Sequence, residues 1–324
     1  MRHQRLCLLF LLLVQIFSLA TAFAESDVPE LPTIAVTQIL LDQAGFSPGE
    51  IDGKLGLNTQ KAITVFQSAV ELPVTGDAND LTLQKLKASG KDVVKTYYVT
   101  QKDVRGPFVR IPSDFVKKSQ LPAMHYSSAL EAICEKFHIS PKLFVAMNPK
   151  ATLVDGEMIW VPNVKMDTPL AQPAEVEGNF TNRKTIPESL MNVIVSGQGS
   201  DLRVLQNGKV IFYAPISYGG KRDPLPVGKR KVYRVIANPH YQYDPSLFWD
   251  ADPSDTKAII PPGPNNPVGS VWIAINVHHY GIHGTPEPSR IGYAQSHGCV
   301  RLTNWDAARL ASLVAPGTEV IFEQ

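Results

Sequence analysis

Apolar residues recur at three- and four-residue spacing over residues 34–88, a pattern that predicts short amphipathic helices. The apolar positions of the predicted helices are Val36, Ile39 and Leu40, then Ile63 and Phe66, then Leu83 and Leu86. Gly45 is expected to end the first helix, with Asn58 and Asn79 as N-caps of the second and third. This region is therefore predicted to be a small all-α bundle.

The pattern changes after residue 190 to short β-branched runs punctuated by Gly and Pro, as is typical of strands. The predicted strands are 192–195, 203–206, 210–217, 230–236, 271–277 and 319–322. One helix precedes the last strand, with Asn304 as its predicted N-cap and Leu310, Leu313 and Val314 on its apolar face. Residues 190–324 are thus predicted to form a mainly-β domain with one C-terminal helix.

Residues 243–267 are rich in Pro and Gly, and they are too many for a plain connection between strands. Long loops of this kind often cover functional sites. We call this segment the flap and expect it to lie beside an active site.

A second segment, residues 165–188, lacks apolar periodicity and carries Pro and Asn, so it is predicted to be a linker.

The N-terminus resembles an export signal in its physical pattern. Arg2 and Arg5 precede an apolar run over residues 6–20, and Ala22-Phe23-Ala24 forms a small-x-small cleavage site. The run is shorter than the ~20 residues that span a bilayer, which favours a removed signal peptide over a membrane anchor. Residues 1–24 are therefore predicted to be cleaved, leaving an exported chain without stable membrane insertion.

Composition narrows the classes of partner. With 44% hydrophobic and 19% charged residues, the chain has ordinary globular composition. Its formal net charge of +1 provides no electrostatic field for attracting nucleic acid or an anionic membrane surface. A polynucleotide partner is therefore not expected.

Of the three cysteines, Cys7 lies in the predicted signal peptide. Cys134 shares a helical face with apolar neighbours over residues 130–137, so it is predicted to be a small buried hydrophobe. Two distant cysteines do not indicate a disulfide framework. Cys299 is therefore the thiol that requires a functional explanation.

The surroundings of Cys299 contain the partners that a nucleophilic thiol needs. A cysteine of pKa about 8.5 is mostly protonated at neutral pH, and a nearby imidazole can accept its proton. His283 and His297 both have the chemistry for that role. Gly298 would let the backbone approach a substrate closely and offer N–H groups to an oxyanion.

Arg301 would share a face with Cys299 in an extended segment, where its guanidinium could hold a carboxylate. The alternative role for Arg301 is a surface ion pair, for which Asp306 is the expected partner.

A zinc site is a further alternative, because nitrogen and sulfur ligands are available at His278, His279, His283, His297 and Cys299. Adjacent histidines in a strand point to opposite faces, and no helical His-x-x-x-His or Cys-x-x-Cys pair occurs. No metal and no cofactor are therefore expected.

Two N-terminal regions resemble wall-binding modules. The first resembles the peptidoglycan-binding repeat through Gly45-Phe46, Ile51-Asp52-Gly53, Asn58-Thr59, Phe66-Gln67 and Thr75-Gly76-Asp77. Residues 97–164 resemble a LysM glycan-binding module, a small α+β unit, in their second half, through residues 137–140, 148–150 and 156–162. The first half departs from that pattern, because residues 101–126 separate the first strand from the first helix. We call residues 101–126 the inserted segment.

The C-terminal region resembles the YkuD-type L,D-transpeptidase domain. The resemblance rests on His283-Gly284-Thr285 followed by Ser296-His297-Gly298-Cys299 and Arg301. It implies Cys299 as nucleophile, His283 as general base and the backbone of Gly298 and Cys299 as oxyanion hole. It also implies Arg301 as the carboxylate-binding residue and Ser296, His297 and Gly284 as supporting residues. Some members have Ser where this chain has Gly284.

The resemblance implies a cell-envelope, periplasmic enzyme whose substrate is peptidoglycan. Cys299 would attack a stem peptide at meso-diaminopimelate, release D-Ala and transfer the acyl group to an amine, which gives a 3,3 cross-link when the amine belongs to another stem. A lipoprotein, a D-amino acid and water remain open as acceptors. An L,D-carboxypeptidase or hydrolase of the same bond and a non-catalytic wall-binding scaffold remain the alternative functions.

Overall fold

The computed structural model describes residues 28–88, 90–165, 191–294 and 297–324. The predicted signal peptide, most of the predicted linker at 165–188 and Ser296 lie outside these residues. Within the described ranges, no helix combines the length and the apolar character needed to cross a membrane.

The N-terminal region is the predicted helical bundle. Its helices are α1 (Thr33–Ala44), α2 (Leu57–Ala69) and α3 (Asp80–Lys87). Gly45 ends α1 in a left-handed conformation with φ 96°, and Asn79 caps α3 by accepting a 3.0 Å hydrogen bond from Thr82 N. The prediction for Asn58 is wrong: Gly56 is the N-cap of α2, and the Asn58 amide donates instead to Ile291 O at 2.8 Å.

The middle region is built around two antiparallel strands, β1 (Val94–Tyr98) and β2 (Met158–Pro162). Between them lie α4 (Gln101–Val104), α5 (Phe115–Ser119), α6 (Ala129–Lys136) and α7 (Pro141–Met147). Ser128 and Ser140 cap α6 and α7 with their side chains. Cys134 is only 5% exposed on α6, so its predicted place in the core is confirmed. Assignment of this region as a LysM module stays a prediction.

The C-terminal region is a mainly-β domain with a C-terminal helix, as predicted. The described part of its main sheet has eight strands in the order β11-β10-β9-β6-β12-β3-β4-β5. In chain order these strands are β3 (Met191–Ser196), β4 (Asp201–Gln206), β5 (Lys209–Pro215), β6 (Gly228–Ala237), β9 (Val271–Ile275), β10 (Gly281–His283), β11 (Val300–Arg301) and β12 (Glu319–Glu323). Alternate residues face a shared core that includes Val193, Val195, Leu202, Val204, Ile273 and Phe322.

Helix α8 (Asn304–Leu313) packs its buried face, including Ala307 and Leu310, against this core. Its N-cap is Thr303, whose side chain accepts from Asp306 N at 3.1 Å. Asn304 was predicted to be that cap, but it is the first helical residue. Its side chain instead contacts Glu135 of the middle region at 2.6 Å.

The flap contains a hairpin and packs against the inserted segment. Strand β7 (Tyr241–Tyr243) pairs antiparallel with β8 (Ala258–Ile260). Phe115 of the inserted segment stacks on Tyr243 with ring centroids 3.9 Å apart. Met124 N donates to Pro262 O at 2.8 Å, and Asn265 N donates to Met124 O at 3.0 Å. The flap is therefore held by a segment that lies more than a hundred residues earlier in the chain.

The helical bundle also packs on the main sheet, within a single compact unit that spans Leu31–Gln324. Phe46, just after α1, forms a parallel bridge with Tyr213 of β5. Tyr213 is 0% exposed and belongs to the core of the helical bundle. Ser47 donates from its hydroxyl to Asp306 Oδ2 on α8 at 2.9 Å.

Candidate active site

Two short parallel strands position the predicted site residues. In the β10–β11 pairing, Ile282 lies opposite Val300 and His283 opposite Arg301. Ile282 and Val300 are buried, which fixes the register and directs their neighbours to the other face. Cys299 immediately precedes β11, and the charge of Arg301 acts on both neighbours: it helps to lower the pKa of His283 and opposes the rise in the pKa of Cys299. The structure thus brings together the three residues that the sequence predicted as nucleophile, base and carboxylate ligand.

His283 is buried, with 4% exposure, and its ring orientation is fixed by two contacts. Nδ1 lies 2.7 Å from Gly284 O, and the ring stacks on Trp272 at a centroid distance of 5.3 Å. Because a carbonyl only accepts, Nδ1 carries the proton and Nε2 is left as an acceptor. Burial, reinforced by the charge of Arg301 and opposed by the Gly284 bond, lowers the pKa of His283 to about 3.

Gly284 is required by close packing. A Cβ atom at this position would collide with Asn304 Oδ1. That oxygen also accepts from Ser270 N at 3.0 Å, so it has little freedom to move away. The departure from the Ser of some relatives therefore has a local steric cause, while the Gly284 carbonyl still orients the imidazole.

Cys299 carries a half-buried thiol. Its Sγ donates a weak hydrogen bond to His279 O at 3.7 Å. Burial raises the pKa of Cys299, opposed by the Gly281 backbone and the Arg301 charge. Together with the lowered pKa of His283, this indicates a resting pair of neutral thiol and neutral imidazole.

The backbone before Cys299 has a conformation that favours glycine. Gly298 is buried and has φ 117°, a value that L side chains rarely adopt. Gly219 approaches it so closely that a Cβ there would lie 2.8 Å from Gly298 N. These two glycines keep side chains away from the peptide N–H groups that the sequence predicted as an oxyanion hole.

Arg301 is held by its backbone and leaves its guanidinium available. Its N donates to Ser217 O at 2.8 Å, and Ser217 N donates back to Arg301 O at 3.1 Å. Its Nε is buried without a hydrogen-bond partner among the described residues. The alternative ion pair with Asp306 is not formed, because Asp306 accepts from Ser47 and Thr303.

His297 contacts the flap. Its Nε2 lies 2.7 Å from Asp250 Oδ1, and its ring packs edge-on against Phe248 at 5.0 Å. Trp249 lies between Phe248 and Asp250 in the sequence. Its Nε1 donates to Asp223 Oδ2, in the loop between β5 and β6, at 3.2 Å. His297 is therefore in position to connect the cysteine loop to the flap.

Several residues at the site were not predicted from sequence. The Tyr280 hydroxyl is buried without a hydrogen-bond partner in the described structure, and burial next to Cys299 raises its pKa. Tyr241 has its pKa raised in the same way, by burial first and Cys299 second. Asp250 had no sequence signal beyond its place in the flap. Tyr280 could have been noted, since it begins the run that contains His283.

The histidine pair considered as part of a zinc site lies outside the strands. His278 and His279 follow β9 in a turn, where their rings meet edge-on at 3.8 Å. Across residues 28–88, 90–165, 191–294 and 297–324, no group of three or more His, Cys, Asp or Glu side chains is arranged to hold a metal ion.

The fold and this site define a curled-sheet catalytic domain joined to a helical binding domain. Residues 192–322 match the family model described as the YkuD L,D-transpeptidase catalytic domain. Residues 32–86 match the model described as "Putative peptidoglycan binding domain". These two regions are thus similar to an L,D-transpeptidase catalytic domain and to a peptidoglycan-binding domain, in the order that the sequence motifs predicted.

The chain is also similar to named proteins and to solved structures. "Putative L,D-transpeptidase YkuD" of Bacillus subtilis (strain 168) is 29% identical over 193 residues, which cover 59% of this chain and 91% of the relative. "Probable L,D-transpeptidase YbiS" of Escherichia coli (strain K12) is 31% identical over 150 residues, 44% of this chain and 48% of the relative. The crystal structure of an L,D-transpeptidase from Xylanimonas cellulosilytica has 16% identity and a TM-score of 0.37, covering 92% of this chain and 98% of that one.

Proposed function

We propose that this protein is a periplasmic peptidoglycan L,D-transpeptidase that works through a thioester on Cys299. Its donor is a stem peptide with meso-diaminopimelate followed by D-Ala, and its acceptor is the amine of a second stem. The product is a 3,3 cross-link. The observation that carries the proposal is a buried, neutral His283 with Nδ1 bound to a carbonyl, on the strand next to the one that begins after Cys299.

The residues divide the reaction as follows. His283 Nε2 takes the thiol proton as Cys299 Sγ bonds to the carbonyl carbon of diaminopimelate. The backbone N–H groups of Gly298 and Cys299 stabilise the resulting oxyanion. When the intermediate collapses, the bond to D-Ala breaks and its nitrogen takes the proton from His283. The donor is left as a thioester, with Arg301 holding its carboxylate.

The second half of the reaction reverses these roles. Neutral His283 accepts a proton from the attacking amine, a C–N bond forms, and the C–S bond breaks. His283 then returns the proton to Cys299. The lowered pKa of His283 keeps the imidazole unprotonated at neutral pH, so that Nε2 has a lone pair with which to accept the proton.

The surroundings of the cysteine support transfer to an amine rather than to water. The flap contacts the cysteine loop through Asp250 and His297, and it contacts the 217–227 loop through Trp249 and Asp223. A covered site limits the access of water to a thioester. A lipoprotein or a D-amino acid would resolve the same acyl-enzyme by the same chemistry.

Incubation of the mature protein with a purified tetrapeptide muropeptide tests the proposal. We expect release of D-Ala together with a cross-linked dimer, and neither product from Cys299→Ala. Tripeptide without dimer at high acceptor concentration would identify a carboxypeptidase. No product from folded protein would favour a wall-binding scaffold, which binding to isolated sacculi would then reveal.

The N-terminal domain is proposed to bind the polymer on which the catalytic domain acts. Its family match to peptidoglycan-binding domains supports this role, and so does its position on the catalytic sheet through Phe46 and Ser47. The wall-binding surface of the N-terminal domain and the active site would then lie at a fixed distance from each other, which a flexible linker would not provide. The middle region is proposed to add a glycan contact.

A further inference from the structure

A cavity of about 690 Å³ opens between the inserted segment and the catalytic domain. Two of its lining residues adjoin the proposed site. Arg301 lies two residues after Cys299, and Thr285 lies two residues after His283. Arg110 and Lys118 of the inserted segment contribute as well. The volume falls in the range of pockets that enclose ligands of several residues or rings. The cavity is therefore an extension of the proposed active site, built partly by the middle region.

The carboxylates and the cations of this cavity differ in whether they already have bonding partners. Its two carboxylates already have partners: Glu131 accepts from Ser127 N at 2.6 Å, and Glu287 pairs with Arg290 at 3.1 Å. Its three cations are Arg110, Lys118 and Arg301. In the part of the chain that the structure describes, none of these cations forms an ion pair within 4.0 Å. Glu287 also acts electrostatically on Lys118 and Arg301, but the three cations of the cavity outnumber its two carboxylates. The cavity therefore favours the binding of anions.

Lys118 keeps its ammonium group available while its side chain is held. Nζ lies 4.6 Å from the Phe115 ring centroid, a contact that leaves its hydrogen-bond donors unused. Asp114 begins the same short helix by accepting from Lys117 N at 2.6 Å, and Phe115 stacks on Tyr243 of the flap. The helix that carries Lys118 is thus fixed in place before a substrate arrives, which lowers the entropic cost of binding.

We propose that Arg110 and Lys118 bind a second carboxylate of the donor stem peptide, beyond the carboxylate held by Arg301. The inference rests on the proposed function, because it takes Arg301 and Cys299 as the donor site. A single stem carries more than one carboxylate along an extended chain, and the cavity begins at Arg301. The inserted segment, which departs from the LysM pattern, is then a specificity element of the catalytic domain.

The test measures D-Ala release by the full mature protein as a function of donor concentration. Two tetrapeptide donors are compared, one with its carboxylates intact and one with the carboxylate farther from the scissile bond converted to an amide. For Arg110→Gln/Lys118→Gln we expect KM for the intact donor to rise about 10- to 100-fold with little change in kcat, because charge-assisted hydrogen bonds are lost. The preference of the unsubstituted protein for the intact donor should disappear in this variant.

Arg105→Gln/Lys117→Gln is the matched control, because both residues are exposed neighbours outside the cavity lining and the charge change is the same. This control should keep the original KM, and Lys118→Arg should retain most donor affinity. An unchanged KM in the cavity variant would overturn the inference, as would an equal loss for both donors. Absence of D-Ala release by the unsubstituted protein would instead contradict the proposed function itself.

Discussion

His297 Nε2 lies 2.7 Å from Asp250 Oδ1, so the loop that carries Cys299 is joined directly to the flap. His283 has no such partner in the flap; its Nδ1 binds the carbonyl of Gly284. The two histidines at the site therefore have different surroundings. The ring of His283 is oriented by a backbone carbonyl, and the ring of His297 contacts the flap.

This difference predicts unequal effects of substitution. His283→Ala should lower the rate of acyl-enzyme formation by about 10²–10⁴-fold, the usual contribution of a general base. His297→Ala should cost less, because it removes a positioning contact. Stopped-flow or mass-spectrometric acylation assays measure both, with thermal unfolding as a check that His283→Ala is folded.

Asp250→Ala is the matched partner variant for His297→Ala. If the two residues act through one contact, each substitution should produce the same loss and the double variant no more. Additive losses would separate the two residues. A larger loss at His297 than at His283 would reverse the assignment of the base.

The two cysteines should differ completely in reactivity. Burial raises the pKa of Cys134 to about 12, and its side chain lies in the core of the middle region. Cys299→Ala should abolish the covalent mass shift produced by a donor stem or a carbapenem, whereas Cys134→Ala should retain it. Intact-protein mass spectrometry decides, and an adduct on Cys134 in the Cys299→Ala protein would refute the assignment.

Gly284 should tolerate no side chain. Gly284→Ala places a Cβ against Asn304 Oδ1, and overpacking of this kind costs about 1–3 kcal/mol. We expect a lower free energy of unfolding in urea and, because the Gly284 carbonyl orients His283, slower acylation. Gly208→Ala separates overpacking from backbone strain, because nothing lies within 4 Å of a Cβ at Gly208 but its φ is 76°, whereas Gly284 is not among the positive-φ glycines. Equal stability of Gly284→Ala and the unsubstituted protein would show that Asn304 moves away freely.

Asp306 should make stability depend on pH. Burial, with a smaller contribution from the nearby Asp42, raises the pKa of Asp306 to about 7, above its usual value of 3.8. The hydrogen bonds from Thr303 and Ser47 and the charge of His138 act in the opposite direction and lower this pKa. A raised pKa in the folded state means that its stabilising contribution is complete below about pH 4 and is lost as the pH rises through about 7.

Asp306→Asn removes this titration but keeps a carbonyl oxygen for Ser47. The variant should therefore gain stability relative to the unsubstituted protein between about pH 4 and pH 8, as measured by urea unfolding. Comparing the two proteins cancels the contributions of Glu50 and Glu135, whose pKa values are also raised to about 7. Exposed Asp155→Asn is the control. Parallel stability curves for Asp306→Asn and the unsubstituted protein would contradict the prediction.

The residues proposed for the centre of the site could be named from the sequence because they lie in two short segments. One segment contains His283 and Gly284, and the other contains Gly298, Cys299 and Arg301. Their local signals are the basic ring of His283, the glycine before Cys299, and the spacing of two residues between Cys299 and Arg301. By contrast, the contact of His297 with Asp250 joins residues 47 positions apart, and no local pattern specifies it. The same holds for Lys118 and Arg301, which line one cavity although they are far apart in the sequence.

The helix starts show the same limit on a smaller scale. Asn58 and Asn304 have good capping chemistry, yet each makes a long-range contact, to Ile291 and to Glu135 respectively. A neighbouring residue takes the cap in both cases, Gly56 for α2 and Thr303 for α8. The two Asn side chains thus form tertiary hydrogen bonds, and a residue one or two positions earlier takes the cap.

The bridge between Phe46 and Tyr213 has a consequence for solubility. Strand β5 is the last strand of the sheet, and an uncovered terminal strand offers unpaired backbone groups to other chains. Here Tyr213 N donates to Gly45 O, and Ser47 N donates to Tyr213 O, both at 2.9 Å. The helical domain therefore occupies the position where a second copy of the sheet could add edge to edge, and it protects the catalytic domain from self-association.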